Sequence, residues 1–544
     1  MEQLLAALRD QREVEIPLSI QALLAARLDR LGPAERDLLR CASVMGTDFS
    51  VPGLAALVPD RARPFLGRHL QTLEDKEMIA PSNRALLGEP TFAFRHVLIQ
   101  LATRRSVTRH ARFELHERFA DWLEGQAGDR SAEFEEVIGY HLEQACYERR
   151  KVGLLDEHAR TLAERAGDRL ARAGLRAYER YDMAAAANLL SRAKSLLPPL
   201  HSHRPALLRR LAAAYQQSGQ LHDADTVLAE LLDDVAADGD RRAERAIRLE
   251  RTRIRLFIGP DPTPLAAIRH EAEQTLETPG ASPDELAQAC HVLALVHLRA
   301  GRMSAMEQIA RMGLAHAGRS GNPRDELAAR WNIAWAVEAG ATPIPAAIPT
   351  CEALARWRGR EHPGLLCELG SLRARRGDFD QARELTARGR RLMQEWMHVR
   401  GPLVFATRSI ATVDILAGDI GVAEHHLRSG LELALEMGLR EQIAELAAHL
   451  ARILSIRGVF AEAEQLATLS MEHAPAESSG TQALWRAAMA RVLLDREKPD
   501  EAARLARQAA DLPPADMLNH RGDLLVDLAE ILLGSGQQEA AHRG

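Results

Sequence analysis

Lysine is scarce in this sequence of 544 residues, and its scarcity excludes one large class of enzymes. Only four lysines occur, and none of them follows a glycine. A nucleotide hydrolase of the P-loop type needs a Gly-Lys-Ser/Thr sequence, in which backbone N–H groups and the lysine hold the phosphates. No serine lies in a Gly-x-Ser-x-Gly element either. The sequence therefore predicts a protein that is not an enzyme.

Cysteines and long apolar runs are also few. The cysteines are odd in number, lie far apart and form no C-x-x-C pair, which argues against both a disulfide framework and a zinc site. No uncharged apolar run reaches about 18 residues, so no membrane span is expected. The first ten residues carry Glu2, Arg9 and Asp10 and do not resemble a signal peptide. These features predict a cytoplasmic protein without a membrane partner. The cysteines are Cys41, Cys146, Cys290, Cys351 and Cys367.

The composition favours helices over sheets. Aromatic residues make up 4% of the chain, whereas hydrophobic residues make up 46%, most of them alanine and leucine. A single core stops growing at about 250–300 residues, so the length predicts several domains or a repeat array. The net charge of −6 provides no overall footprint for nucleic acid. The expected fold is mainly α.

A repeat of roughly 39 residues runs through most of the chain. Its mark is a glycine followed, after four residues, by an alanine, as in GDFDQA at Gly377–Ala382. Strong copies start at Gly219, Gly301, Gly377, Gly418 and Gly458, and weaker ones at Tyr181, Gly259, Gly340, Glu497 and Gly536. Each unit is predicted to be a helix, a turn and a second helix. About ten such units would stack into a tetratricopeptide-like superhelix with a concave face over residues 163–544.

Each marked residue has an expected physical role. The glycine closes the first helix, where a left-handed backbone is least costly without a side chain. The alanine lies in the second helix, at a contact too close for a larger residue. Small-residue pairs such as Leu369-Gly370 and Leu450-Ala451 mark the matching contact in the first helix.

The first part of the chain has a different pattern. A helix at Ile20–Leu31 and another that starts at Pro33 are followed by a short helix, a candidate recognition helix at Ala62–Asp75, and two strand-like pieces. The strand-like pieces are Met78–Ala80 and Thr91–Phe94. Three helices and a two-stranded ribbon predict a small winged-helix domain over residues 32–125. Connecting helices would fill residues 126–162.

His96 lies where the second strand ends and the next helix begins, in the stretch TFAFRHVLIQLA. A helix start offers free N–H groups and the positive end of the helix dipole, so it suits an anion such as phosphate. The simpler interpretation is a histidine that caps the helix or is half-buried.

Other candidate sites are weak. His425-His426 and His201-Ser202-His203 resemble metal ligands, but no third ligand has suitable spacing, and we predict no metal. Leu231–Asp234 resembles an acidic magnesium-binding strand but ends a repeat helix. Four arginines after the ribbon, interleaved with glutamates, would form either a DNA-contacting patch or a solvated face. They are Arg104, Arg105, Arg109 and Arg112.

Several motifs resemble one family, the bacterial signal-transduction ATPases of the STAND class, with AAA/NACHT-like ATPase modules. Ile16–Leu31 resembles the segment just after their ATPase core, and Phe94–Ile99 resembles their F-R-H-x-L-I element. Tyr140–Ala145 and Asp182–Pro198 are similar to the start of their tetratricopeptide region. Met1–Leu5 resembles the tail of their lid-helix motif. Members include LuxR-type, SARP-type and adenylate/guanylate-cyclase-linked regulators.

The resemblance implies a role for each region. Residues 1–31 would be a remnant of the ATPase lid helices, which suggests a truncated gene, a fragment or a natural remnant. His96, next to Arg95, would contact the nucleotide phosphates of ADP or ATP when the ATPase core is present, whereas this chain alone would bind no cofactor. The repeats would bind a protein, a peptide or a small inducer.

Two alternatives remain open from the sequence. In the first alternative, the protein is a transcription factor that binds DNA through the winged helix, although the net charge makes nucleic acid an unlikely partner. In the second, the chain is a stand-alone tetratricopeptide scaffold for protein interactions.

Overall fold

A computed structural model describes residues 24, 26–86, 88–180, 182–259, 263–396, 401–514 and 516–534. The chain divides into two compact units, Met1–Leu211 and Ala212–Gly544, called here the first and the second unit. No helix among the described residues is both long enough and apolar enough to cross a membrane.

The first unit combines helices with one small sheet. Its elements are α1 (Pro33–Met45), β1 (Asp48–Ser50), α2 (Val51–Leu57), α3 (Leu66–Asp75), β2 (Ile79–Leu86), β3 (Glu89–Phe94), α4 (Val97–Ser106), α5 (Arg109–Ala127), α6 (Ser131–Lys151), α7 (Glu157–Glu179) and α8 (Met183–Leu196). Helix α9 (Arg204–Gln217) spans the division between the units. Leu24, Leu28 and Leu31 of the predicted first helix belong to the core of this unit, and Ile20 lies outside the described residues.

The sheet has the strand order β1-β3-β2 and is antiparallel. The predicted ribbon is present as β2 and β3, and β1 is an additional strand whose Phe49 is paired with Phe92. A three-residue strand is too short to show a period in the sequence. The order of helices and strands fits a winged helix, an assignment that stays a prediction.

The predicted recognition helix begins later than expected. Residues Asp60–Phe65 form a 3-10 helix, and α3 starts only at Leu66. Pro64 has no N–H group, and its ring disfavours the α conformation at the preceding residue, Arg63. Helical periodicity alone does not reveal this break.

The second unit consists of helix pairs. Its helices are α10 (Leu221–Asp238), α11 (Arg241–Ile258), α12 (Leu265–Glu277), α13 (Pro283–Arg299), α14 (Met303–Ser320), α15 (Pro323–Ala339), α16 (Ile344–Ala355), α17 (Pro363–Arg375), α18 (Phe379–Trp396), α19 (Gly401–Leu416), α20 (Ile420–Met437), α21 (Arg440–Ile456), α22 (Phe460–His473), α23 (Ser479–Asp495), α24 (Pro499–Asp511) and α25 (Leu518–Gly534). A two-residue ribbon, β4 (Arg356–Trp357) and β5 (Arg360–Glu361), separates α16 from α17. This is the predicted α-solenoid.

Every described turn glycine of the predicted repeat lies between the two helices of one pair. The five strong copies, such as Gly377 with φ of 94°, adopt the left-handed conformation. Gly259 and Gly340 do not, with φ of −155° and −81°, so the proposed reason for glycine is wrong there. Longer links follow these two residues before the next helix starts, and such links need no left-handed residue. Tyr181 and the copy at Gly536 lie outside the described residues.

The alanines of the repeat occupy close helix contacts. Ala382, Ala423 and Ala463 have no exposed surface. A Cβ atom added to Gly370 of α17 would lie 3.1 Å from the carbonyl oxygen of Ala382 in α18. The close approach inferred from the small residues is therefore present in this pair of helices.

Substituting leucine at Ala382, Ala423 or Ala463 is expected to lower the free energy of unfolding by about 1–3 kcal/mol through overpacking. Ala461, which is exposed on α22, provides the matched control, and Ala461→Leu should change stability by less than about 0.5 kcal/mol. Urea unfolding measures both. Unchanged stability in all three buried variants would show that the register of the repeat is wrong.

Candidate ligand cavity in the second unit

A cavity of about 240 Å³ lies inside the second unit. Its lining residues come from α13, α15, α17, α19, α21, α23 and α25 and from the residues just before the last two of these helices. Each of these helices is the first helix of its repeat. The first helices therefore form the inner face of the array, as in a superhelix with a concave surface.

Contacts between distant repeats close the cavity on one side. The Asn519 amide donates a hydrogen bond of 2.7 Å to the carbonyl oxygen of Glu338. Arg375 donates two hydrogen bonds, of 3.0 and 2.8 Å, to the carboxylate of Asp523. The backbone N–H of Ser304 donates to Asp516 at 2.8 Å. The last described repeat is thus held against α14, α15 and α17.

Arg408 of α19 is the centre of a buried charge cluster. Its guanidinium lies 3.2 Å from Glu338, 3.1 Å from Glu368 and 3.4 Å from Glu445. Only 13% of the Arg408 side chain is exposed, and its guanidinium carbon lies 5.8 Å from the centre of the Trp335 ring. One cation therefore serves three carboxylates from three helices.

Further contacts hold two of these carboxylates. Glu338 also pairs with Arg375 at 3.4 Å and accepts a hydrogen bond of 3.2 Å from the Ser371 hydroxyl. Glu368 accepts a hydrogen bond of 2.7 Å from the Ser409 hydroxyl. Glu445 has no such additional donor among the described residues, and its single ion pair is with Arg408.

The environment shifts the pKa values of these carboxyl groups in different directions. Burial opposes ionisation of Glu338, but Arg408 and Arg375 outweigh it and lower the pKa of that carboxyl. Burial raises the pKa of Glu445 to about 7, because Arg408 compensates only in part and Glu441, Glu368 and Glu338 add repulsion. Near neutral pH, the Glu445 carboxyl group is therefore present in both its protonated and its ionised form.

Two histidines also line the cavity, His449 one turn after Glu445 on α21 and His520 on α25. Burial lowers the pKa of His449 to about 3 and also lowers the pKa of His520, so both imidazoles are neutral at pH 7. The Nε2 atom of His520 has almost no accessible surface and no hydrogen-bond partner among the described residues. It is an unsatisfied polar atom beside the cavity, which a bound molecule can reach once the ring turns toward it.

Arg95 and His96, the residues predicted to contact a nucleotide, belong to the first unit, whereas the residues that line this cavity belong to the second unit. His96 lies between β3 and α4 and is exposed, not half-buried, and its Nδ1 accepts a hydrogen bond of 3.1 Å from the N–H of Leu98. His96 thus caps the helix. Arg95 is exposed, and its backbone N–H donates to the carbonyl oxygen of Met78 at 3.0 Å. Their role with a nucleotide stays a prediction.

Three of the four arginines in the basic run contact α6 of the first unit. Arg109 and Arg112 pair with the buried Glu148 at 2.9 and 3.0 Å. Arg104 donates to the side chain of Gln144 at 3.1 Å. These contacts fix the arginines in a helix interface and reduce the charge available for phosphates.

The histidine pairs are placed differently from each other. His426 hydrogen-bonds to Asp414 at 2.8 Å, whereas His425 is exposed. His201 and His203 lie 3.8 and 4.0 Å from a third group, Asp168, which the local sequence did not reveal. However, Nδ1 of His201 accepts a hydrogen bond from the N–H of His203, so Nε2 of the neutral ring carries the hydrogen. In that tautomer Nε2 has no free lone pair for a metal ion, and its N–H faces Asp168 at 3.8 Å.

The residues of the charge cluster were missed from the sequence. Two of them are the single charged residue of a local stretch in a first helix, namely Glu368 in LLCELGSL and Arg408 in VFATRSIATV. Glu338 and Arg375 both lie two residues before their turn glycine. A charged residue at a core position of one repeat is a detectable signal, but it does not show which repeats face each other.

Comparisons with known proteins find limited similarity. No family model matches the chain. An uncharacterized protein from Rhizobium meliloti (strain 1021) is 34% identical over 100 residues, which are 18% of this chain and 9% of that protein. The chain thus matches about a tenth of the length of this relative.

The solved structures that match the chain do so at low similarity. The anaphase-promoting-complex hetero-tetramer Cut9-Hcn1 is 12% identical with a TM-score of 0.33, covering 78% of this chain and 93% of that one. A Signal Transduction ATPase with Numerous Domains (STAND) protein with a tetratricopeptide repeat sensor, from Pyrococcus horikoshii, is 14% identical with a TM-score of 0.25, covering 85% of this chain and 65% of that one.

Proposed function

We propose that this chain is the winged-helix and tetratricopeptide sensor portion of a bacterial, cytoplasmic STAND-type regulator. It has no catalytic activity itself. An inducer occupies the cavity of the second unit, and its binding biases a nucleotide switch in the ATPase module of the complete regulator. A ligand acts on such a switch only through different affinities for its two states.

The observation that carries the proposal is the geometry of His96. Its Nδ1 accepts the N–H of Leu98, so Nε2 of the neutral ring carries a hydrogen. The residue is exposed at the N-terminus of α4, where the helix dipole favours an anion. The two roles of His96 are therefore compatible. Its Nδ1 caps the helix, and the N–H at Nε2 remains available to donate a hydrogen bond to a phosphate oxygen.

We expect this chain to release no phosphate from ATP, because no Gly-Lys dipeptide is present to hold the phosphates. A phosphate-release assay with magnesium and ATP measures this, with heat-killed protein as the control. Magnesium-dependent turnover that follows the protein through several columns would contradict the prediction.

Fusion to the ATPase module of a STAND-type regulator is expected to produce tight ADP binding. His96→Ala should then weaken that binding by about 1–3 kcal/mol, the cost of losing a charge-assisted hydrogen bond. Calorimetry on the fused protein measures the affinity. His110→Ala is the matched control, since His110 is an exposed histidine on α5. Equal affinities of the His96→Ala variant and the parent would leave His96 as a helix cap only. An in-frame P-loop in the genomic DNA upstream of Met1 would identify the region to fuse.

The alternative of a stand-alone interaction scaffold uses the same repeat unit. It predicts that the upstream DNA contains no in-frame P-loop and that the fused protein shows no nucleotide switch.

A further inference from the structure

The charge cluster beside the cavity contains more carboxylates than cations. Glu338, Glu368 and Glu445 share Arg408, and Glu338 also shares Arg375 with Asp523. Four carboxylates therefore surround two guanidinium groups.

Neighbouring ion pairs do not remove the excess. Glu441 pairs with Arg299 at 3.5 Å, and Asp527 pairs with Arg452 at 2.9 Å. Arg491 also pairs with Asp527, at 3.4 Å, and with a further carboxylate, Glu530, so these three arginines are matched by three carboxylates. The excess of negative charge remains near Glu445, the member of the cluster with the fewest contacts.

The remaining cavity wall suits a ligand that is partly apolar. Leu298, Ile415, Leu484 and Met517 provide apolar surface. The side chain of Val526, which also lines the cavity, is 55% exposed, so the cavity opens to solvent there. A ligand can enter with a polar head first and leave an apolar chain along the wall.

A neutral histidine also borders the cavity. Nε2 of His520 has no hydrogen-bond partner within the described ranges, a turn of the ring would bring it to the head of the ligand, and burial lowers the pKa of the imidazole. A neutral imidazole nitrogen can accept a hydrogen bond from a cationic N–H group, whereas a protonated one cannot. This atom agrees with the carboxylate excess in favouring a cation.

We infer that the cavity binds a small organic cation, namely a guanidinium or primary ammonium group on a short apolar chain, with the charged head beside Glu445. A volume of about 240 Å³ corresponds to about eight water molecules at about 30 Å³ each, which fits a small molecule. The inference rests on the proposed function only in taking this cavity as the inducer site.

Butylguanidine is a suitable probe because its guanidinium keeps its charge at all working pH values. Isothermal titration calorimetry on this chain should detect butylguanidine binding, and pentanamide, a neutral molecule of similar length, should bind at least tenfold more weakly. N-acetyl-arginine amide distinguishes the source of the cation. Its binding as tightly as butylguanidine would indicate a peptide side chain, and weaker binding would indicate a free small molecule; both results support a cation site.

Glu445→Gln removes the charge and keeps the size of the side chain. This variant should bind butylguanidine at least tenfold more weakly. Glu432→Gln, which changes an exposed glutamate on α20, is the matched control and should bind like the parent. Thermal unfolding of both variants verifies that they remain folded.

The pH dependence provides a readout that a purely structural role would not produce. Around Glu445 lie Arg408, Glu441, Glu368, Glu338, His449 and His520. Burial raises the pKa of Glu445 to about 7, so the empty site is mostly protonated at pH 6 and ionised at pH 8. A cation favours the ionised form, and its affinity should rise about tenfold between these pH values. Burial also raises the pKa of Glu368, so Glu368 is a second candidate for the pH dependence. If the affinity of the Glu445→Gln variant no longer rises between pH 6 and pH 8, the pH dependence is assigned to Glu445.

Two results would overturn the inference. One is equal binding of butylguanidine and pentanamide, and the other is equal binding by the parent and the Glu445→Gln variant. Absence of binding by any of these probes would also overturn it. None of these results affects the regulator proposal, whose test is the ADP affinity of the fused protein.

Discussion

Arg408→Met is expected to lower the free energy of unfolding by about 3–5 kcal/mol at pH 7, the typical cost of removing one partner from a buried ion pair. The arginine is the shared cation of Glu338, Glu368 and Glu445, which are all largely buried. Its loss leaves Glu368 and Glu445 without a counter-charge, and only 2% and 14% of their side chains are exposed. Methionine keeps much of the side-chain volume, so the effect reports on charge more than on packing. Urea unfolding at pH 7 measures it.

A surface arginine provides the control for this substitution. Arg311, with a 53% exposed side chain, pairs with Glu307 one turn earlier on the same helix. Arg311→Met should cost less than about 0.5 kcal/mol. Combining Arg408→Met with Glu368→Gln should recover part of the loss, because one stranded carboxylate is removed. A loss below about 1 kcal/mol for Arg408→Met would mean that the carboxylates are already protonated or hydrated.

Acid is expected to destabilise the first unit through a buried histidine pair. His116 and His141 have 0% and 1% exposure, and their Nδ1 atoms lie 2.8 Å apart. Burial lowers the pKa of His141 to about 3, with a further contribution from Arg104, and burial lowers the pKa of His116 as well. Both rings are therefore neutral in the folded protein.

The direction of the effect follows from proton uptake. An unfolded histidine has a pKa of about 6.5, so between pH 6.5 and pH 3 the unfolded chain binds more protons than the folded one. The stability from His141 is complete above pH 6.5 and is lost as the pH falls toward 3. At pH 4 the loss amounts to about 3 kcal/mol, at about 1.36 kcal/mol per pH unit.

Hydrogen exchange of the α5 and α6 amides between pH 7 and pH 4 measures this loss in the first unit. Because glutamine does not titrate, His141→Gln should reduce the pH dependence by about one proton. His110→Gln, at an exposed histidine of α5, should leave it unchanged. An unaltered pH profile in the His141→Gln variant would show that the buried ring is already protonated or not linked to unfolding.

The sequence by itself determined the local features of this protein. Periodicity and the Gly-x4-Ala mark located the helix pairs, because a helix turn and a small contact residue depend on neighbours within one repeat. The strand–helix junction at His96 was found for the same reason. The sequence did not predict two local features. One is the 3-10 helix around Pro64, where a single residue changes the backbone, and the other is β1, a strand of only three residues.

Only the tertiary structure decided which repeats face each other. Arg375 and Asp523 are 148 residues apart and form a two-bond ion pair, and Glu338, Glu368 and Glu445 meet Arg408 from separate helices. Contacts between distant repeats depend on the small rotation from one repeat to the next, which adds up along the array. They produce no periodic pattern in the sequence. The same accumulation of rotations creates the cavity. The sequence therefore predicted a helical repeat array, and the packing of distant helices determined that charged residues meet in its interior.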